Sequence, residues 1–111
     1  MRDELKKYLF DINESIEHIL LFTKDTKTLN EYTSNIFVKR AVERELEIIG
    51  EAMKEALVID SELPVSNARK IVNARNKIIH GYDEVDDAVI WSIVIRHIPI
   101  LRKEIVDLLN S

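Results

Sequence analysis

Leu5, Leu9, Ile12, Ile16 and Ile19 recur at steps of 4, 3, 4 and 3. That repeat lines one side of an α-helix and predicts a first helix over about residues 2–24. A polar loop follows. Thr28-Leu29-Asn30-Glu31 fits a capping box, with a hydroxyl at the cap and Glu three positions on. Val38, Val42, Glu45, Ile49, Ala52 and Ala56 then keep a 4-3-4-3-4 rhythm with one charged member. They predict a second long helix to about residue 58, entered through a short extra helical turn near Ser34. Ala41, Ile48, Met53 and Leu57 widen its buried face. Gly50 lies inside this helix, where it costs about 1 kcal/mol against Ala. A close approach of another helix is the reason to keep it.

The break Asp60-Ser61-Glu62-Leu63-Pro64 separates a third helix, expected from about residue 66 to Gly81, a natural helix terminator. Asp83, Glu84, Asp86 and Asp87 suit the positive start of a fourth helix, which runs to about residue 109. Trp91, Val94, Ile98, Leu101, Ile105 and Leu108 make its inner stripe. Ile90, Ile93 and Ile100 fall off that stripe, around His97, and predict a contact with a second copy of the chain. Neither a repeat nor a strand pattern is present. The expected fold is all-α: one up-and-down four-helix bundle spanning residues 1–111 as one domain.

Composition narrows the chemistry. Apolar residues make up 46% of the 111, enough for a core without staples. Cysteine is absent, which excludes disulfides, thiolate metal sites and thiol nucleophiles. The opening Met1-Arg2-Asp3-Glu4-Leu5-Lys6-Lys7 has no apolar signal core behind it, and no apolar run is long enough to span a bilayer. The chain therefore reads as cytoplasmic, with no membrane partner. Its formal net charge of −4 is a poor overall match to a nucleic-acid binder. The distribution says otherwise. Residues 66–82 hold Arg69, Lys70, Arg75 and Lys77 and no acid, a basic segment on an acidic body.

Carboxylate metal sites in bundles need Glu-x-x-His pairs on facing helices. Ser15 precedes His18 and Val94 precedes His97 at that spacing, so neither a metal nor a cofactor is expected. Glu43, Glu47, Glu51 and Glu55 form an i,i+4 row beside Arg40, Arg44 and Lys54 and read as a solvated, ion-paired face. His18 and His97 read as surface or packing residues. The third helix is different: Asn73-Ala74-Arg75-Asn76-Lys77-Ile78-Ile79-His80-Gly81-Tyr82. Arg75 offers a planar cationic fork suited to phosphate, the imidazole of His80 can take or give a proton near neutral pH, and Tyr82 adds a hydroxyl. In an ideal helix Arg75 and His80 stand about 140° apart, so a kink or helix end near His80 is needed to bring them together.

These residues resemble the HepT-like branch of the HEPN superfamily. Its motif of Arg, a polar residue, three further positions and His is matched by Arg75-Asn76-Lys77-Ile78-Ile79-His80. The branch's added spacer and Tyr are matched by Gly81 and Tyr82. Ile48-Ile49-Gly50-Glu51-Ala52 and the stretch from Val85-Asp86 to Trp91 are similar to further family segments. One departure is visible: Pro64 is followed by Val65-Ser66-Asn67, where the family often has a Trp, a difference expected to alter packing rather than chemistry.

The resemblance implies a toxin of a type VII-like toxin–antitoxin pair, a metal-independent endoribonuclease. Arg75 and His80 would be catalytic, with Asn76, Lys77, Arg69 and Lys70 supporting phosphate or RNA. It also implies a minimal nucleotidyltransferase antitoxin as partner, adding AMP to Tyr82. Metal-free RNA cleavage needs a base, an acid and cationic support for the phosphate. One motif His per chain serves both proton roles poorly, whereas a homodimer pooling two copies of Arg75 and His80 serves both. The alternative is a non-catalytic helical module for dimerisation and nucleotidyltransferase binding.

Overall fold

A computed structural model of the chain describes residues 2–80 and 85–111. Six α-helices and one π-helical turn make up the described part: α1 (Asp3–Phe22), α2 (Leu29–Ser34), α3 (Ile36–Ile59), α4 (Ala68–Ile79), α5 (Asp87–Ser92), the π turn Ile93–His97, and α6 (Ile98–Leu109). No strand occurs among the described residues. With α5, the π turn and α6 running on as one rod, the architecture is the expected all-α, up-and-down bundle, and α2 is the short extra helix between the first two long ones. α3 is the central rod, packed on α1 along one side and on α4 along another, while α6 closes on α1.

Local chemistry sets the boundaries. Thr28 caps α2 by accepting from the Glu31 amide at 3.1 Å, while its hydroxyl donates to the Glu31 carboxylate at 3.2 Å. Asn35 caps α3 by accepting from the Val38 amide at 3.2 Å, and Asp86 caps α5 through the Ala88 amide at 2.8 Å. Asn67, before α4, takes a left-handed backbone with φ of 59°, a conformation asparagine tolerates better than most residues. That residue places the start of α4 at Ala68 rather than 66.

The predicted stripe of α1 is buried in full: Leu5, Leu9, Ile12, Ile16 and Ile19. They meet Val42, Leu46, Ile49, Met53 and Ala56 of α3 in one core. Glu45, the charged member of the α3 stripe, is accounted for by His18, whose Nδ1 lies 3.3 Å from its carboxylate. Tyr32 of α2 is fully buried and stacks on Trp91, with ring centroids 5.4 Å apart. Its hydroxyl has no partner among the described residues. Burial, and then Glu43 and Asp87, push the Tyr32 phenol well above its ordinary range.

The fourth rod departs from the expected continuous α-helix. Pro99 has no N–H to donate to the carbonyl of Ile95, and its ring crowds that carbonyl. The chain answers by winding one wider turn just before it. The Ile98 amide reaches back five residues to the Ile93 carbonyl. This also corrects the sequence reading of the dimer contact. Ile90 and Ile93 are buried in the chain's own core, and Trp91, expected on the inner stripe, is only partly buried at its edge. Of the three expected off the stripe, Ile100 is about half accessible, and Val89 and Ile95 are exposed to the same degree.

Candidate functional site

α4 and its C-cap carry the described motif residues, and the two sides of the helix do different work. On one side it crosses α3 at Gly50. A Cβ built on Gly50 would lie 2.3 Å from the Cβ of Arg75 and 2.7 Å from its Cγ. The missing side chain is therefore what lets the Arg75 stem lie on α3. The guanidinium is held at both tips. Nη2 donates to Glu51 Oε2, in an ion pair, and Nη1 donates to Asn76 Oδ1 at 2.9 Å. Nε is buried with no partner among the described residues. Arg75 is thus fixed but not sealed: its side chain is 19% exposed and that of Glu51 50%. Both border a groove of about 310 Å³ lined also by Tyr8, Glu47 and Ile79.

His80 caps the C-terminus of α4. It is exposed, with φ −75° and ψ −3° still in the right-handed region. Its amide donates to the Asn76 carbonyl at 3.1 Å. The helix is unbroken from Ala68 to Ile79, so within this chain Arg75 and His80 remain about 140° apart around its axis. The helix ends beside His80, as expected, with the His80 backbone still in the right-handed region. Tyr82, the expected acceptor of AMP, and Gly81 lie outside the described residues.

The supporting cations divide between the faces. Lys70 and Lys77 stand on the side of α4 away from Arg75, where they line a cavity of about 610 Å³ shared with α5 and the π turn. Arg69 is exposed and borders a shallower hollow of about 460 Å³ near the start of α4. The structure brings Asn76 to Arg75 and puts Lys70 beside Lys77, but it does not gather all four supporting residues round one point.

His97 was read in the sequence as a surface or packing residue. It lines the 610 Å³ cavity, with Nε2 3.4 Å from the Lys70 ammonium and Nδ1 buried without a partner among the described residues. Burial, then the charges of Lys70 and Arg96, lower its pKa. Pro99, two residues on, was the available signal, since a proline within an apolar helical pattern forecasts a distortion just ahead of it.

Residues 12–108 match the family model described as "Ribonuclease HepT-like". The chain belongs to the HepT-like family. Relatives cover nearly all of it. A protein of Methanocaldococcus jannaschii with a provisional RNase name is 36% identical over 106 residues, covering 92% of this chain and 94% of its own length. A protein of Thermococcus cleftensis, named "Probable ribonuclease HepT", is 37% identical over 106 residues, with 92% and 93% covered. A second provisionally named RNase of M. jannaschii is 34% identical over 112 residues, covering 99% of this chain and 91% of its own length. No solved structure matches.

Within this HepT-like chain, sequence reasoning found Arg75 but not what holds it. Glu51 was read as one of a solvated row of acids. Part of that row behaves as expected, with Glu47 paired to Arg44 at 3.1 Å and Glu43 to Arg40 at 3.8 Å. Glu51 instead turns to another helix. Its neighbour Gly50 was the signal, because the position that admits a crossing helix also presents the next residue to it. Among the described residues no three His, Asp or Glu side chains are placed to hold a metal ion, and no helix is long and apolar enough to cross a membrane.

Proposed function

We propose that this chain is the toxin of a type VII-like toxin–antitoxin pair: a cytoplasmic, metal-independent RNA endonuclease that works as a homodimer of one-domain chains. The observation that carries the reading is the mounting of Arg75. A helix interior gives up a side chain at Gly50, and two groups, Glu51 and Asn76, are spent on the guanidinium. That is more support than a surface arginine needs for stability alone, and it holds a phosphate-binding fork with little rotamer freedom left to lose.

In this reading the guanidinium of Arg75 neutralises the scissile phosphate. The imidazole of one His80 takes the proton of the ribose 2′-hydroxyl as the 2′-oxygen attacks phosphorus. The imidazole of the second copy gives a proton to the 5′-oxygen as its bond to phosphorus breaks. Asn76 orients Arg75, while Lys77, Lys70 and Arg69 support the RNA backbone. Because Arg75 and His80 face different ways on one α4, a two-fold pairing of helices is the simple way to put both kinds of side chain in one cleft. The exposed Ile95 and Ile100 offer apolar surface for such a pairing.

Control is assigned to Tyr82, just beyond His80 in sequence. A minimal nucleotidyltransferase antitoxin would add AMP to its hydroxyl. The new phosphate would compete for Arg75, and the adenosine would obstruct the cleft. The test is expression in a sensitive host with and without such a partner. Expression alone arrests growth, Arg75→Ala or His80→Ala relieves the arrest, and the partner relieves it only when Tyr82 is intact. If the wild-type chain binds the partner but neither arrests growth nor cuts RNA, it is a non-catalytic platform for that partner and the proposal is wrong.

A further inference from the structure

The side of α4 that faces away from Arg75 has its own chemistry. Lys70, Asn73 and Lys77, at i, i+3 and i+7, form one stripe along the helix. Across from them lie Ala88, Val89 and Ser92 of α5, then Ile93 and His97 of the π turn. The cavity between has a volume of about 610 Å³, within the roughly 300–1,000 Å³ of small-molecule sites. None of its described lining residues is acidic. This is unusual on a chain with a net charge of −4.

Three further observations bear on what it binds. Lys70 sits in the first turn of α4, where the helix dipole disfavours a cation; an anion beside it would offset that cost. Its ammonium donates to His97 Nε2 at 3.4 Å, which suits the neutral form of the ring. The π turn holds that ring at the cavity wall. An uncharged imidazole next to Val89 and Ile93 is a surface on which a flat aromatic group can lie. Two lysines about two turns apart then flank an apolar, partly aromatic hollow, with the hydroxyl of Ser92 and the amide of Asn73 at hand for hydrogen bonds.

We propose that this cavity is a nucleotide-binding subsite, taking one unit of single-stranded RNA with its base against Val89 and His97, over the buried Ile93, and its phosphate on Lys70 and Lys77. The inference rests on the ribonuclease reading for its biological sense, since it gives the substrate strand a second point of attachment on the far side of α4 from Arg75. It rests on the cavity alone for its chemistry. A base pocket adds sequence-tolerant affinity by stacking, and the lysines add the salt dependence of phosphate contacts.

The test is nucleotide binding to the full chain followed by NMR, with methyl signals of Val89 and Ile93 and the ring protons of His97 as reporters. The probes are 5′-AMP, 5′-UMP, adenosine and inorganic phosphate. At low salt at least one nucleotide should shift all three reporters, binding about tenfold more tightly than adenosine or phosphate, which each supply half of the contacts. Lys70→Met with Lys77→Met should weaken that binding about tenfold or more. Ala88→Phe, which fills the hollow from an exposed helical position, should abolish it while leaving the far-ultraviolet spectrum unchanged. The subsite is refuted if neither nucleotide shifts these reporters, if phosphate alone binds as tightly as the nucleotide, or if the variants bind as wild type does. Failure here is separable from failure of the ribonuclease reading: RNA cleavage dependent on Arg75 with no nucleotide in the cavity sinks only the subsite, and binding without cleavage sinks only the nuclease.

Discussion

Arg75 fills the space that a side chain on Gly50 would need at the crossing of α3 and α4: a Cβ on Gly50 would stand 2.3 Å from the Cβ of Arg75. No real pair of such atoms comes so close, and the atom opposite is the root of a side chain rather than its flexible end. Gly50→Ala gains about 1 kcal/mol of helix propensity but forces the helices apart or swings the Arg75 stem. Overpacking of this kind costs about 1–3 kcal/mol. The variant should therefore unfold at lower urea than wild type and lose RNA cleavage as Arg75 is displaced. Equal or greater stability would show that the crossing has slack.

Glu51 is half exposed, so its ion pair with Arg75 contributes little to folding, about 0–1 kcal/mol. Its part in the account is to position the guanidinium. Glu51→Gln should leave the urea midpoint nearly unchanged and lower kcat for RNA several-fold, with a smaller change in KM. Stability and activity falling together would make Glu51 a structural residue instead.

Tyr32 carries a buried hydroxyl with no partner among the described residues, and its ring is fully enclosed against Trp91. Leaving a buried polar group unpaired costs about 1–3 kcal/mol. Tyr32→Phe keeps the stacked ring and removes the orphan oxygen. The variant should melt at a higher temperature than wild type; a lower Tm would mean that the hydroxyl is satisfied in solution.

His97 gives the fold a pH dependence. Its pKa is lowered by burial and by Lys70 and Arg96, so the folded chain resists a proton that the unfolded chain accepts near pH 6.5. Its contribution is fully present above the unfolded pKa and is lost as pH falls below that value toward the folded one. Glu43 acts in the opposite sense: burial raises its pKa, so its protonation favours the folded chain as pH falls. Comparison of wild type with His97→Gln isolates the histidine. The variant should lose less stability than wild type between pH 7 and pH 5 in urea titrations. Parallel pH curves would contradict the assignment.

The long helices were legible because the stripes of α1 and α3 repeat at helical spacing over many turns, and Gly50 announced a close crossing by breaking the propensity rule. The geometry of the fourth rod was not legible. Ile90 and Ile93 looked misplaced only on the assumption of a regular α-helix, and one π turn ahead of Pro99 changes what lies after it relative to what lies before. The site was half legible. Arg75 and His80 stood out as residue types, whereas Glu51 and His97 acquire meaning only from partners that are 24 and 27 residues away in sequence. Such pairings are set by how helices cross, which no local pattern encodes.

Association is the next consequence. With Ile90 and Ile93 committed to the core and Val89 lining the cavity beside α4, the apolar surface left on the fourth rod is Ile95 and Ile100. If the site is completed by a second copy, sedimentation at micromolar concentration should give twice the chain mass of 12.9 kDa, and Ile95→Lys with Ile100→Lys should shift it to monomer. A wild-type monomer would end the composite-site account.

The most direct measurement is RNA cleavage by the purified chain in EDTA, with Arg75→Ala and His80→Ala alongside. The account predicts that wild type cuts single-stranded RNA with no added metal, and that each variant, folded as judged by its helical spectrum, is slower by about 10² or more. Cleavage that needs Mg²⁺, or that survives both substitutions, would contradict it.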